Sequence, residues 1–212
     1  IWKHFGNKLV TSKEVFEYLD RKIIQYIDAN DVGLNTYTAE KIEPYTIADF
    51  ISELNPPWPN QTEELYNKNF EEAVSFIIEL LKREIQSAEG VVKSRKIIRK
   101  KINESNGDYL VLDKYTPWKE TVVRESNLKY VVFYDSFENH WCIVAVPVSM
   151  GSFQNRKDLP SEWAGLADKQ LQKVTGVKDA KFCHNKLFIA ISKTRDGAVK
   201  LVEIALKNKE KH

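Results

Sequence analysis

Two carboxylates at the end of a helix with an apolar face are the first residues whose types and spacing could do chemistry. Asp28 and Asp31 stand three positions apart, and Gly33 follows them. Two carboxylates at this spacing can share a divalent cation if the backbone turns between them, and a glycine lets the chain approach a ligand closely. An ordinary polar helix end, with its acids in solvent, has the same pattern. Asp28 and Asp31 are therefore candidate metal ligands, and a plain helix terminus is the other interpretation that the residues alone leave open.

A run of basic residues is the second candidate. It places six cations in nine positions: Lys93, Arg95, Lys96, Arg99, Lys100 and Lys101. On a helix, such a patch can hold phosphates through the release of counterions. It can equally be a solvated helix end whose cations are favoured by the helix dipole. The sequence leaves both interpretations open.

The loop at residues 152–166, between a predicted strand and a predicted helix, is the third candidate. Loops in this position often carry ligand sites. The guanidinium of Arg156 is a natural fork for a phosphate or a carboxylate, and the ring of Trp163 could stack on a base. The alternatives are a surface ion pair for Arg156 and a core anchor for Trp163.

The fourth candidate lies near the end of the chain. His184 stands at the end of a predicted strand, and Lys193 and Arg195 lead into the last predicted helix, whose N-terminus favours an anion. These three residues are therefore candidates for binding an anion. A lone histidine is also often a hydrogen-bonded core residue. The chain shows no pattern of a Ser-His-Asp triad, a P-loop or a dinucleotide fingerprint.

Two kinds of secondary structure must position these candidates. The first half carries apolar residues at helical spacing, which predicts helices at 15–28, 47–54 and 62–103. The second half is rich in Val, Ile and aromatic residues, which predicts strands at 109–112, 129–134, 141–148, 181–184 and 187–192, with helices at 162–174 and 196–206. The predicted fold class is α+β: a helical N-terminal lobe, a long connecting helix, and a mixed, mainly antiparallel sheet with flanking helices. We expect two domains, residues 1–105 and 106–212.

Composition narrows the class of protein. The chain has 212 residues, 42% hydrophobic and 29% charged, with a formal net charge of +2, which fits a globular protein with a sizeable core. Cys142 and Cys183 show no CxxC spacing, so we expect two free thiols in a reducing compartment. No apolar run approaches the length of a membrane span. The chain opens at Ile1 inside an apparently structured segment, so we expect the true N-terminus to lie upstream.

Several short segments, in order along nearly the whole chain, carry a resemblance to a known family. They are residues 1–6 (Ile-Trp-Lys-His-Phe-Gly), 28–33, 54–58 (Leu-Asn-Pro-Pro-Trp), 117–120 (Pro-Trp-Lys-Glu), the pattern within 152–166, and His184 with 188–189, 194–195 and 197–198. In these segments the chain resembles the melanocyte proliferating gene family, which is also labelled metal-dependent protein hydrolases.

The resemblance implies a two-lobed phosphoesterase of the DHH type that binds divalent metal, manganese or magnesium. Family members are described as 3′-5′ RNA exonucleases of the nucleus and the mitochondrion. Three of the family's four metal motifs lie upstream of the segment that matches Ile1, so the chain corresponds to the C-terminal part. Asp31, and then Asp28, match the fourth motif. The chain by itself is therefore expected to be inactive or nearly so, and in the intact protein Arg156, His184, Lys193, Arg195 and Trp163 are expected to bind RNA or a nucleotide.

One departure from the family pattern affects substrate recognition. Where family members have Phe-Ile-Gly-Gly-His before the last helix, this chain has Phe-Ile-Ala-Ile-Ser at 188–192. A glycine-rich approach to the substrate is lost there. Two other functions stay open: an RNA-binding or partner-binding module without chemistry, and a phosphoesterase of small nucleotides. A homodimer is also left open, and no membrane partner is expected.

Overall fold

The structure, a computed structural model, describes residues 1–34, 36–38, 42–105 and 107–208. It divides into two compact units, Ile1–Val92 and Lys93–His212. The predicted α+β class is confirmed, with a long helix followed by a mixed five-stranded sheet and flanking helices. Asn106, the first residue of the predicted second domain, lies outside the described residues. The division at 105/106 stays a prediction.

The first unit is helical. Its helices are α1 (Trp2–Phe5), α2 (Lys13–Leu19), α3 (Gln25–Asp31), α4 (Ile47–Ser52) and the first part of α5 (Glu63–Glu104). A π-helical stretch, Asp20–Ile24, joins α2 to α3, so the predicted helix at 15–28 contains one widened turn. The apolar face of α2 packs on α5, where Val15, Leu19, Ala88 and Val92 form a small core. This packing leaves the C-terminal end of α3 at the surface.

The second unit is built on the sheet. Its strands are β1 (Tyr109–Leu112), β2 (Tyr130–Asp135), β3 (His140–Ala145), β4 (Ala180–Cys183) and β5 (Ile189–Ser192), in the order β1-β2-β3-β5-β4. The β1–β2 pair is parallel and the other pairs are antiparallel. The prediction of a mixed, mainly antiparallel sheet is therefore confirmed.

Helices cover both faces of the sheet. The three helices after α5 are α6 (Lys119–Glu125), α7 (Asp168–Thr175) and α8 (Arg195–Lys207). On one face, Leu171 of α7 and Leu201 of α8 pack into a core with Tyr130 and Ile143 of the sheet. On the other face, Val122 of α6 packs with Ile98 and Ile102 of α5 against the sheet.

The structure corrects two local predictions. The helix expected at 162–174 is broken: a 3₁₀ turn at Ser161–Trp163 precedes α7, and Gly165 (φ +70°) and Asp168 (φ +40°) adopt left-handed conformations between them. Such a conformation cannot continue an α-helix. Helix α6 was missed, because its seven residues are too few to show a helical period. Helix α5 continues unbroken through Gly90.

Among the described helices, none combines the length and the apolar character that crossing a bilayer requires.

Candidate functional site

Four chain segments meet at one end of the sheet in the second unit. Asp135 ends β2 and pairs across the turn with His140, which begins β3. The β3–β5 register ends at Trp141 and Ser192, so His140 and Lys193 are the next residues on two neighbouring strands. This end of the sheet therefore brings together the β2–β3 turn and the segment that enters α8.

The entry to α8 is held by a network around Thr194. Its hydroxyl accepts a hydrogen bond from the Gly197 amide (3.1 Å) and donates one to Oδ2 of Asp179 (2.7 Å). The amide of Lys193 donates to the carbonyl of Asp179 (2.9 Å). Lys193 and Arg195 are exposed beside this cap. The fixed amides and the two cations can attract an anion, although the carboxylates of Asp179 and Asp196 reduce the local positive charge.

Gly197 lets α8 approach the sheet closely. A Cβ built at this position would lie 2.3 Å from Oγ of Ser192, 2.9 Å from Cβ of Asp179 and 3.1 Å from Oγ1 of Thr194. Ser192 is fully buried, and its hydroxyl donates to the carbonyl of Asp179 (3.2 Å). The helix entry, β4 and β5 are thus packed without room for another methyl group.

His184 lies at the opposite end of the β4–β5 hairpin from Lys193. Its Nδ1 accepts a hydrogen bond from the Lys186 amide (3.0 Å), and its ring lies 4.6 Å from that of Phe188 and 6.3 Å from that of Phe182. Strand β5 has four residues, which separates its ends by about 10–13 Å. The predicted substrate-binding residues therefore form no single cluster: Lys193 and Arg195 lie at one end of the sheet and His184 at the other.

Arg156 lies near the same end of the sheet as His184, where its amide donates to the carbonyl of Val146 (2.8 Å). Its guanidinium donates to the carbonyl of Leu128 (3.0 Å) and to that of Val123 (2.7 Å), at the C-terminal end of α6. Burial lowers the pKa of this guanidinium. Two of the donors of Arg156 are therefore engaged in holding α6 to the segment before β2.

Trp163 is a core residue in this structure. Its side chain is 1% exposed and packs in the cluster beneath α7 and α8. The indole faces are covered by protein atoms, as expected for the core-anchor alternative. The predicted stacking of Trp163 on a base would require this packing to open.

Asp28 and Asp31 lie in the first unit, on the exposed surface of α3. Three amides after them turn back onto the helix: Val32 donates to the carbonyl of Asp28, Gly33 to that of Asn30 and Leu34 to that of Ala29. Gly33 has φ +73°, so it supplies the left-handed conformation that ends the helix. The two carboxylates offer hard oxygen ligands of the kind that manganese and magnesium prefer, and their role as ligands stays a prediction.

The basic run is partly neutralised by α6. Arg95 contacts Glu120 (3.0 Å), and Arg99 makes two hydrogen bonds to Glu125 (2.7 and 2.8 Å). The Arg99 guanidinium lowers the pKa of Glu125. These pairs hold α6 against the end of α5, which reduces the charge that the run offers to phosphates.

Sequence reasoning missed one group of potential metal ligands. An oxygen of Asp135, a ring nitrogen of His140 and Sγ of Cys142 all lie within 4.8 Å of one another. Among the described residues, this is the one group of three or more His, Cys, Asp and Glu side chains with such geometry. Two signals could have found it: the alternation of His140 and Cys142 on one face of β3, and the short turn that brings Asp135 opposite His140.

The environment of this group is enclosed. His140 is 8% exposed and Cys142 is 3% exposed. Burial, and secondarily the carboxylate of Asp135, raise the pKa of the Cys142 thiol to about 11. A sulfur, a nitrogen and an oxygen make a softer ligand set than manganese or magnesium prefer. The group therefore fits a metal-dependent protein in general, but not the hard cation that the family resemblance implies.

Comparison with known proteins gives consistent matches along the chain. A family model named MYG1_exonuc and described as an uncharacterised protein family (UPF0160) matches residues 1–206. The chain is 29% identical to a MYG1 protein of Dictyostelium discoideum, with 94% of this chain and 68% of that protein covered. It is 30% identical to a MYG1 protein of Caenorhabditis elegans, covering 97% and 69%, and 28% identical to the MYG1 exonuclease of Homo sapiens, covering 97% and 62%. No solved structure matches the chain.

Proposed function

Because the chain belongs to the MYG1 family (UPF0160), we propose that it is the C-terminal part of a metal-dependent phosphodiester hydrolase that acts as a 3′-5′ exonuclease on RNA. The observation that carries this proposal is the family match over residues 1–206, together with the name MYG1 exonuclease of the rat, mouse and human relatives. The chain spans 61–62% of those three relatives. The nucleus and the mitochondrion are the proposed compartments, from the family resemblance.

In the proposed mechanism, Asp31 and Asp28 hold one divalent cation, manganese or magnesium. A bound cation of this kind activates a water molecule and stabilises the leaving oxygen. Both carboxylates are exposed at the end of α3, so they can reach a cation without first breaking a buried contact. Such cations prefer about six ligands in octahedral geometry. The two carboxylates supply only part of that number, which is why we expect the 212-residue chain by itself to be inactive or nearly so.

We assign substrate binding to two surfaces of the second unit. Lys193 and Arg195, beside the capped start of α8, would hold phosphates by charge. His184 and Phe188, which is 39% exposed, would offer ring surface for a base. Single-stranded RNA is commonly bound by such a combination of cations and aromatic rings.

A binding module without chemistry is the second candidate function. It is favoured by the ligand chemistry of the second unit, whose one described group of three ligands contains sulfur and nitrogen rather than oxygens alone. A phosphoesterase of small nucleotides would differ from both of these functions, because it would prefer a dinucleotide to longer RNA.

The test uses the protein with the residues that precede Ile1 in its gene. It is assayed with manganese on single-stranded RNA labelled at the 5′ end, and on a dinucleotide. We expect stepwise shortening from the 3′ end, lost in Asp31→Asn and retained in Glu43→Gln, a matched removal of an exposed charge in the same unit. Replacing Lys193 and Arg195 by glutamine should raise KM for RNA more than it lowers kcat, because these residues bind phosphates away from the reacting atoms.

Three results would change the proposal. Hydrolysis of the dinucleotide alone would favour a small-nucleotide phosphoesterase. RNA binding without hydrolysis, unaffected by removal of the metal, would favour the binding module. Equal activity of Asp31→Asn and the parent protein would remove Asp31 from the metal site.

A further inference from the structure

We propose that Asp135, His140 and Cys142 form a zinc site that closes the β2–β3 hairpin, separate from the manganese or magnesium site assigned to Asp28 and Asp31. The three ligand atoms already lie within 4.8 Å of one another. The inference does not depend on the proposed nuclease activity, because it rests on the geometry of the second unit alone.

The first argument is the state of His140. The residue is 8% exposed, and its Nδ1 is buried with no hydrogen-bond partner. A buried polar atom without a partner costs about 1–3 kcal/mol, and most such atoms in proteins are satisfied. A metal ion bound at Nδ1 would remove this cost, because the lone pair of that nitrogen would then be used as a ligand.

The second argument is how the fold positions the three side chains. Asp135 and His140 are directly paired across the two strands. Cys142 lies two residues beyond His140, so it projects from the same face of β3. The turn is ordered by Asp135 itself, whose Oδ1 accepts the amide of Phe137 (2.9 Å). Strand pairing thus places Asp135 and His140, and the alternation of side chains along β3 places Cys142.

The third argument is the chemistry of the donor set. Zinc is held by thiolate sulfur at about 2.3 Å, by imidazole nitrogen at about 2.0–2.1 Å and by carboxylate oxygen at about 2.0–2.2 Å. A tetrahedral ion at these distances places its ligand atoms about 3.3–3.6 Å apart. Shifts of about 1 Å or less in side-chain atoms would therefore close the site. The three protein ligands leave the fourth position to a water molecule.

The test measures metal binding by the 212-residue chain after treatment with a chelator. Cobalt(II) serves as a spectroscopic probe for zinc, since a thiolate ligand gives a sulfur-to-cobalt charge-transfer band. We expect one cobalt per chain with this band, and displacement of cobalt by an equivalent of zinc but not by manganese. Cys142→Ser should abolish the band. Cys183→Ser is the matched control, because Cys183 is also a buried free thiol but lies outside the group, and this variant should keep the band.

Two further variants separate loss of a ligand from loss of the fold. Asp135→Asn retains an oxygen that can accept the Phe137 amide, so the turn should persist while zinc affinity falls at least about 10-fold. Zinc at 100 times its dissociation constant should raise the Tm of the parent chain by roughly 5–10 °C, and should leave the Tm of folded Cys142→Ser unchanged. Absence of stoichiometric cobalt or zinc binding, or equal binding by Cys142→Ser and the parent chain, would overturn the proposal.

Discussion

Two glycines in helices should respond to the same substitution with opposite signs. Gly197 lies in the first turn of α8, where an added Cβ would come within 2.3 Å of the buried hydroxyl of Ser192. Gly90 lies in the exposed interior of α5, with no atom within 4 Å of the added Cβ. Alanine is favoured over glycine in a helix by about 1 kcal/mol. Both substitutions therefore gain helix propensity. The difference between their effects on stability comes from the packing around the added methyl group.

The expected magnitudes follow from these distances. At Gly197 the Cβ meets Ser192, Asp179 and Thr194, and overpacking of this kind costs about 1–3 kcal/mol. Displacing the Ser192 hydroxyl also weakens its hydrogen bond to Asp179, worth about 1 kcal/mol. After the propensity gain is subtracted, Gly197→Ala should lower the free energy of unfolding of the second unit by about 1–3 kcal/mol. Gly90→Ala should raise stability by about 0.5–1 kcal/mol.

Urea unfolding followed by circular dichroism and by tryptophan fluorescence would measure both effects. Ser192→Ala removes the atom closest to the added methyl group, so a double-mutant cycle should show Gly197→Ala to be less costly in that background. If Gly197→Ala left the urea midpoint and the m-value unchanged, the close approach of α8 to the sheet would be refuted. If Gly90→Ala were as destabilising as Gly197→Ala, backbone conformation rather than contact would be the cause.

Other residues give further expectations. Arg156→Lys should lower the free energy of unfolding by about 1–2 kcal/mol, because the shorter side chain and single nitrogen of lysine do not reproduce the planar fork whose two nitrogens donate to Val123 and Leu128; an unchanged urea midpoint would contradict this. Burial raises the pKa of the Cys183 thiol from 9.0 to about 12, so the unfolded chain releases this proton first as pH rises. The contribution of this thiol to the free energy of unfolding should be fully present below about pH 9, and it should fall by about 1.4 kcal/mol per pH unit between pH 9 and 12. The difference in stability between the parent chain and Cys183→Ala, measured across this range, would isolate that slope. Thr46→Ala should destabilise α4 by about 1 kcal/mol, because Thr46 and Asp49 form a reciprocal capping box; hydrogen exchange of the α4 amides would detect the loss, and unchanged protection would refute it.

Helical periodicity in the first half and runs of Val, Ile and aromatic residues in the second were enough to predict the fold class. The strands of the second unit are short runs rich in β-branched and aromatic residues, and each of the five predicted strands overlaps an observed one. Element ends were less well predicted. The segment after Trp163 has a helical pattern, yet Gly165 and Asp168 adopt positive φ values that interrupt it. Local preference there is overridden by the packing of Trp163 and Leu171 in the same core.

The sequence by itself determined the elements and the family resemblance, because both depend on residue types at fixed spacings along the chain. Only the tertiary structure decided which side chains meet. It separated His184 from Lys193, since the two residues lie at opposite ends of one hairpin. It brought Asp135 to His140 and Cys142, since strand pairing joins residues whose contact depends on the register and not on a local motif. Proximity across strands is set by backbone hydrogen bonding between segments, and no periodicity within either segment specifies it.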